Sequence, residues 1–146
     1  MENQMEPNGT PDRYWRSPSI WLAVLASTAI LLLGIRAFVD PVAGSLGFGL
    51  PMSSSAETTF VQIYGARNGM LGALALTFVL ARMLRPAALI YLFALALPLL
   101  DVWVMISRRG VGPEIVRHAV IFAVIAVVAI LLWRGGAGTR AVEEGS

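Results

Sequence analysis

Asp101 and His118 stand on either side of a short basic corner, Ser107-Arg-Arg-Gly110-Val-Gly-Pro113, and each is set inside a long apolar run. An ionisable group in hydrocarbon is costly, so a functional or pairing role is its default reading. A carboxylate beside an imidazole forms an acid/base couple whose pKa values follow its surroundings. Four more polar side chains interrupt apolar runs elsewhere: Arg36, Tyr64, Arg67 and Asn68. Two guanidinium groups suit an anionic group or a developing oxyanion. A phenol and an amide suit the orientation of a substrate. One histidine, one aspartate and a distant Glu114, with no cysteine in the chain, are too few ligands for a metal site. No metal and no cofactor is expected.

The elements that position these groups follow from composition. The 146 residues are 57% hydrophobic and 14% charged, with a mean hydropathy of +0.72. These values fall outside the soluble class and indicate an integral membrane protein. All eleven basic residues are arginine. They cluster at the ends of apolar runs, where membrane topology accounts for them, and nucleic acid is set aside. The expected partners are membrane lipids, a lipophilic small molecule and, as a further option, a second copy of the chain.

Residues 1–18 are polar and proline-bearing, and read as a disordered tail. Tyr14, Trp15, Arg16 and Trp21 form an aromatic and basic collar suited to the headgroup level. Apolar runs of about 20 residues, long enough for a ~30 Å hydrocarbon core, predict spans over 19–39, 59–82, 87–107 and 113–133. Together they make one transmembrane domain over 19–134. Residues 135–146 read as a second disordered tail. The glycines and prolines of 40–55 predict a loop or re-entrant turn. Gly65, Gly69 and Ala73 recur every four residues and predict a face for close helix contact. Pro98 predicts a kink one turn before Asp101. The expected fold is therefore all-α, an integral membrane four-helix bundle running up-down-up-down.

Depth and face bring the polar residues together. Counted from the nearest helix ends at a rise of ~1.5 Å per residue, Arg36, Arg67, Asp101 and His118 all fall within roughly 5–12 Å of one membrane interface. At 100° per residue Tyr91, Ala94, Pro98, Asp101 and Met105 share one face of the third span. Glu114, Arg117, His118, Ile121 and Ile125 share one face of the fourth. The expectation is a polar pocket in the outer half of the bundle. Each residue also has a purely structural account. Asp101 can neutralise an arginine, His118 can be a hydrogen-bonded core histidine, and Arg36 can snorkel to headgroups. Asn68 and Tyr64 can bond between helices.

The residues Gly34-Ile-Arg36, Pro41, Gly47-Phe-Gly49-x-Pro51, Tyr64-Gly-Ala-Arg67-Asn68-Gly, Asp101 and His118, in that order, resemble the domain of unknown function 4267 family. The resemblance covers Ile35 to about Leu132. It implies a small four-helix membrane protein and no established activity. Asn68 stands where that family often carries an acid, so the resemblance implies no second carboxylate there.

The leading expectation is a membrane-embedded enzyme for a lipophilic small molecule, working by acid/base chemistry such as isomerisation, cyclisation or epoxide opening. Asp101 and His118 would be catalytic, and Arg36, Arg67, Asn68 and Tyr64 would bind substrate. The rival is a lipid- or ligand-binding protein or an accessory subunit with a structural polar layer. Arg13, Arg16, Arg82, Arg85, Arg134 and Arg140 fall on one side of the membrane, and Arg36, Arg108, Arg109 and Arg117 on the other. The bias places both termini in the cytoplasm. A reporter active only outside the cytoplasm and fused after Ser146 is expected to give no signal; a strong signal reverses the orientation.

Overall fold

The computed structural model describes residues 14–47, 54–112 and 114–143. Most of the expected N-terminal tail, the Phe48–Ser53 stretch of the first connection and residues 144–146 lie outside the described residues. Helix α1 is Pro18–Val39, with Pro18 in the first helical turn, where its missing N–H leaves no bond unmade. Asp40 follows, and its Oδ1 accepts from the Ala43 N–H at 3.0 Å. That cap, with Pro41 preset for a helical φ, starts a short helix α2, Pro41–Gly47, where glycine and proline content predicts a loop. Gly44 lets α2 lie against α1, since a Cβ there would sit 2.7 Å from the Ala37 Cα.

Helix α3, Ser55–Leu80, begins before the hydropathy boundary at Thr59 because Ser54 and Glu57 form a reciprocal capping box. The Glu57 N–H donates to Ser54 Oγ at 3.3 Å, and the Ser54 N–H to Glu57 Oε2 at 3.1 Å. It ends with Arg82 in the left-handed region at φ 61°. The Met83 N–H donates to the Phe78 carbonyl at 2.8 Å and the Arg82 N–H to Val79 at 3.0 Å, which closes the last turn. The third span is made of α4, Leu84–Ala94, and α5, Ala96–Arg109. The interruption at Leu95 has its cause in Pro98, which cannot donate to the carbonyl four residues back and crowds it. Helix α6 is Glu114–Glu143 and continues well past Trp133. Each added residue extends an existing helix by one hydrogen bond and needs no new nucleus.

Four segments are long and apolar enough to cross a membrane: Pro18–Val39, Ser55–Leu80, Leu84–Ser107 and Ile115–Gly135. No strand occurs among the described residues. The chain is an all-α membrane protein. Large apolar side chains such as Leu32, Phe60, Phe93 and Trp103 face outward. On a soluble protein such a surface would drive aggregation; here it meets lipid tails.

Association in hydrocarbon relies on close packing, because burying apolar surface from lipid gains little. α1 packs most extensively on α3, and α4 on α6. A Cβ on Gly34 would lie 2.5 Å from the Gly69 Cα and 2.7 Å from the Gly65 carbonyl oxygen. One on Gly72 would lie 2.5 Å from the Leu31 nitrogen. The buried face of α3 is thus Gly65, Gly69, Gly72, Ala75 and Val79, with Gly72 in the place expected of Ala73. Deeper in, the Tyr91 hydroxyl of α4 bonds the Ser27 hydroxyl and donates to the Ala23 carbonyl of α1 at 2.9 Å.

At the other end of the bundle the aromatic collar locks the α3–α4 turn. The Tyr14 hydroxyl donates to the Val79 carbonyl, and the Arg82 guanidinium lies 5.3 Å from the Tyr14 ring centroid. Burial raises the Tyr14 pKa above its ordinary value, only partly offset by Arg82, so the hydroxyl stays protonated as the donor. Trp15 meets Tyr14 edge-on at 5.0 Å, and Trp21 Nε1 donates to the Trp15 carbonyl at 2.7 Å. Arg85 lies over Trp133 at 5.9 Å.

The glycine contacts predict a contrast. Gly72→Ala pushes a Cβ into backbone and is expected to destabilise by about 1–3 kcal/mol. The Cβ of Gly69→Ala would meet only ordinary contacts at 3.8 Å. It is expected to be neutral, or to gain up to about 1 kcal/mol from helix propensity. Thermal melting in detergent checks the pair; equal losses would show that α1 and α3 do not approach as described.

Candidate functional site

Tyr64 and Asn68 lie one turn apart on α3, and each directly precedes a glycine of the α1 contact, Gly65 and Gly69. Glycine contact therefore sets how close these two side chains stand to the bundle interior. Asp101 is carried on α5, after the Leu95 break and on the same face as buried Tyr91 and Pro98. His118 lies in the second turn of α6, on the face that continues through buried Ile125, Val128, Ala129 and Leu132.

These four residues meet. His118 Nε2 is 3.8 Å from Asp101 Oδ2, with the histidine side chain 6% and the aspartate side chain 35% exposed. The separation is that of an ion pair and is longer than a direct hydrogen bond. The Tyr64 hydroxyl donates to the Asp101 carboxylate and accepts from the Asn68 side chain. Three spans thus contribute to one polar cluster. Among the described residues no group of three or more histidine, cysteine or acidic side chains could hold a metal ion.

All four residues of the cluster line a partly enclosed cavity of about 110 Å³. The other walls are apolar and come from every span: Leu33 and Ala37 of α1, Leu71 of α3, Ile90 of α4, Leu97 of α5 and Ile125 of α6. An apolar cavity of ~150 Å³ accepts a benzene ring. At about 110 Å³ this one is somewhat smaller, and Asp101 and His118 are among its lining residues.

The arginines are placed differently. Arg36 is exposed and lines a second cavity of about 140 Å³ between α1, α2 and α6, together with Ala43, Gly44, Arg117 and His118. Arg67 is exposed on α3 and lines neither cavity. Of the six residues singled out by type and spacing, four surround the first cavity, one faces the second, and Arg67 stands apart. Depth along a helix brings Arg67 level with the others, but its position about 100° round from Asn68 turns it outward. Arg117 was legible only as a face-mate of His118. Tyr91, which lines the apolar cavity, was legible as a face-mate of Asp101.

Four apolar spans enclosing a partly polar cavity define the class, a polytopic helical membrane protein with an internal cavity. The chain belongs to the family described as Domain of unknown function (DUF4267), whose model matches residues 27–132. That range contains every residue lining both cavities and excludes the aromatic collar. No curated protein and no solved structure matches the chain.

The cluster geometry predicts coupling between Tyr64 and Asp101. Tyr64→Phe alone is expected to cost about 1 kcal/mol of stability, the net worth of a typical hydrogen bond. In an Asp101→Ala background the same change is expected to cost less, with a coupling of at least about 0.5 kcal/mol in a double-mutant cycle. Strict additivity would show that the two groups do not interact.

Proposed function

We propose that this chain is a membrane-embedded enzyme that draws the end of a lipophilic small molecule into the apolar cavity and carries out acid/base chemistry at Asp101 and His118. The single observation that carries the reading is the 3.8 Å Asp101–His118 pair in the lining of a largely apolar cavity. An apolar substrate is held there by its shape, with its reactive carbon or oxygen facing two groups that exchange protons.

An isomerisation needs nothing further. One member of the pair delivers a proton to a double bond or an oxygen, the other removes one from a neighbouring carbon, and the proton count is unchanged at the end of the cycle. Cyclisation and epoxide opening follow the same logic, with protonation first and deprotonation last. Tyr64 would hold the Asp101 carboxylate in place, and Asn68 would hold Tyr64. Exclusion of water by the apolar walls strengthens each of these interactions.

The second reading is a lipid- or ligand-binding protein, or an accessory subunit, in which the cluster is structural. One observation favours it: among the described residues no buried side-chain nitrogen or oxygen lacks a hydrogen-bond partner. A closed set of polar contacts holds helices together without any reaction. Removing one partner of such a set is strongly destabilising, by about 3–5 kcal/mol.

Asp101→Asn and His118→Gln separate the two. An acid/base role predicts that both variants stay folded, with melting temperatures near wild type, while turnover falls by at least about 10²-fold. Lipid extracts of cells carrying the wild-type or variant chain with its neighbouring genes, resolved by chromatography and mass spectrometry, would show a species made by the wild type alone. Folded variants with unchanged extracts would end the catalytic assignment, and variants that collapse on substitution would support the structural reading.

A further inference from the structure

His118, Leu33 and Ile121 line both cavities, so the apolar chamber and the chamber carrying Arg36 and Arg117 share a wall that includes those three residues. Arg36 occupies the last turn of α1, where the helix dipole favours a cation. Arg117 lies in the first turn of α6, where the dipole favours an anion and opposes a cation. Arg36 and Arg117, both exposed, therefore line one chamber of about 140 Å³ beside the amino end of α6. Its size suits a carboxylate or phosphate group, which arginine holds through paired N–H donors. Arg36 lies in the last turn of its helix and Arg117 in the first turn of its own.

We propose that the two chambers form one site for a single-chain anionic amphiphile, its anionic head held by Arg36 and Arg117 and its chain passing His118 into the apolar cavity. This extends the proposed function by naming a substrate class, and it shares with that reading only the use of the apolar cavity. The shared chemistry is an anionic head on an alkyl or isoprenoid chain. A free amphiphile and a membrane phospholipid are its two sources.

The test uses the full chain in a neutral detergent, titrated with decanoate, with methyl decanoate and with inorganic phosphate, and read by native mass spectrometry and thermal shift. Decanoate is expected to bind and raise the melting temperature, while the ester and inorganic phosphate leave it unchanged. Arg36→Gln and Arg117→Gln are each expected to weaken decanoate binding by about tenfold, equivalent to 1.4 kcal/mol. Arg36→Lys and Arg117→Lys, which keep the charge and lose the fork, are expected to fall between. Binding is read without turnover, so a failure of the catalytic reading does not remove this result. Repeating the titration in nanodiscs separates the sources. Competition by phosphatidylglycerol, absent with phosphatidylcholine, assigns the site to a phospholipid, and binding undisturbed by either assigns it to a free amphiphile. Equal binding of ester and acid, or binding unchanged in all four arginine variants, would overturn the proposal.

Discussion

The approach of α1 to α3 at Gly34, Gly65 and Gly72 is the constraint on which the remaining geometry depends. Backbone atoms stand where side chains would otherwise be, and no larger residue at Gly34 or Gly72 leaves that approach intact. Because lipid tails are as apolar as leucine, dispersion between closely packed backbones is the main force available to hold the pair. The same contact decides where the polar residues go. Tyr64 and Asn68 each precede a contact glycine, and the turn of the helix carries them from the α1 interface to the wall of the cavity.

The polar cluster is the cost that this packing carries. Asp101 and His118 stand where a lone charge would be severely disfavoured, and proximity to each other, with the Tyr64 hydroxyl, reduces that cost. The Pro98-induced break in the third span contributes too. It separates α4, which is clasped to α1 through Tyr91 and Ser27, from α5, which carries Asp101 toward α6. The segment holding the carboxylate is thereby less tightly tied to the bundle than the segment before it.

His118 is the point at which two different environments meet. On one side lies a largely apolar cavity; on the other lies a chamber lined by Arg36 and Arg117. The family match over residues 27–132 takes in this whole arrangement and leaves out the Tyr14, Trp15 and Trp21 collar.

Membrane residence, the four spans, the glycine face and the shared layer of Asp101 and His118 were legible in the sequence, because hydropathy and helical periodicity are local properties that each residue reports for its own helix. The helix Pro41–Gly47 was not, since Asp40 capping and the fit of Gly44 on Ala37 act across a segment whose composition alone favours a loop. Gly72 rather than Ala73 completes the contact face because α3 rotates against α1 to bring backbone to backbone, and a four-residue spacing does not record that rotation. Arg67 matched the others in depth and turned outward, while Arg36 and Arg117 came to share one chamber. Depth is set along a helix by rise per residue, but which side chains face the same space is set by how the helices are rotated and packed against one another, and that was decided only by the tertiary structure.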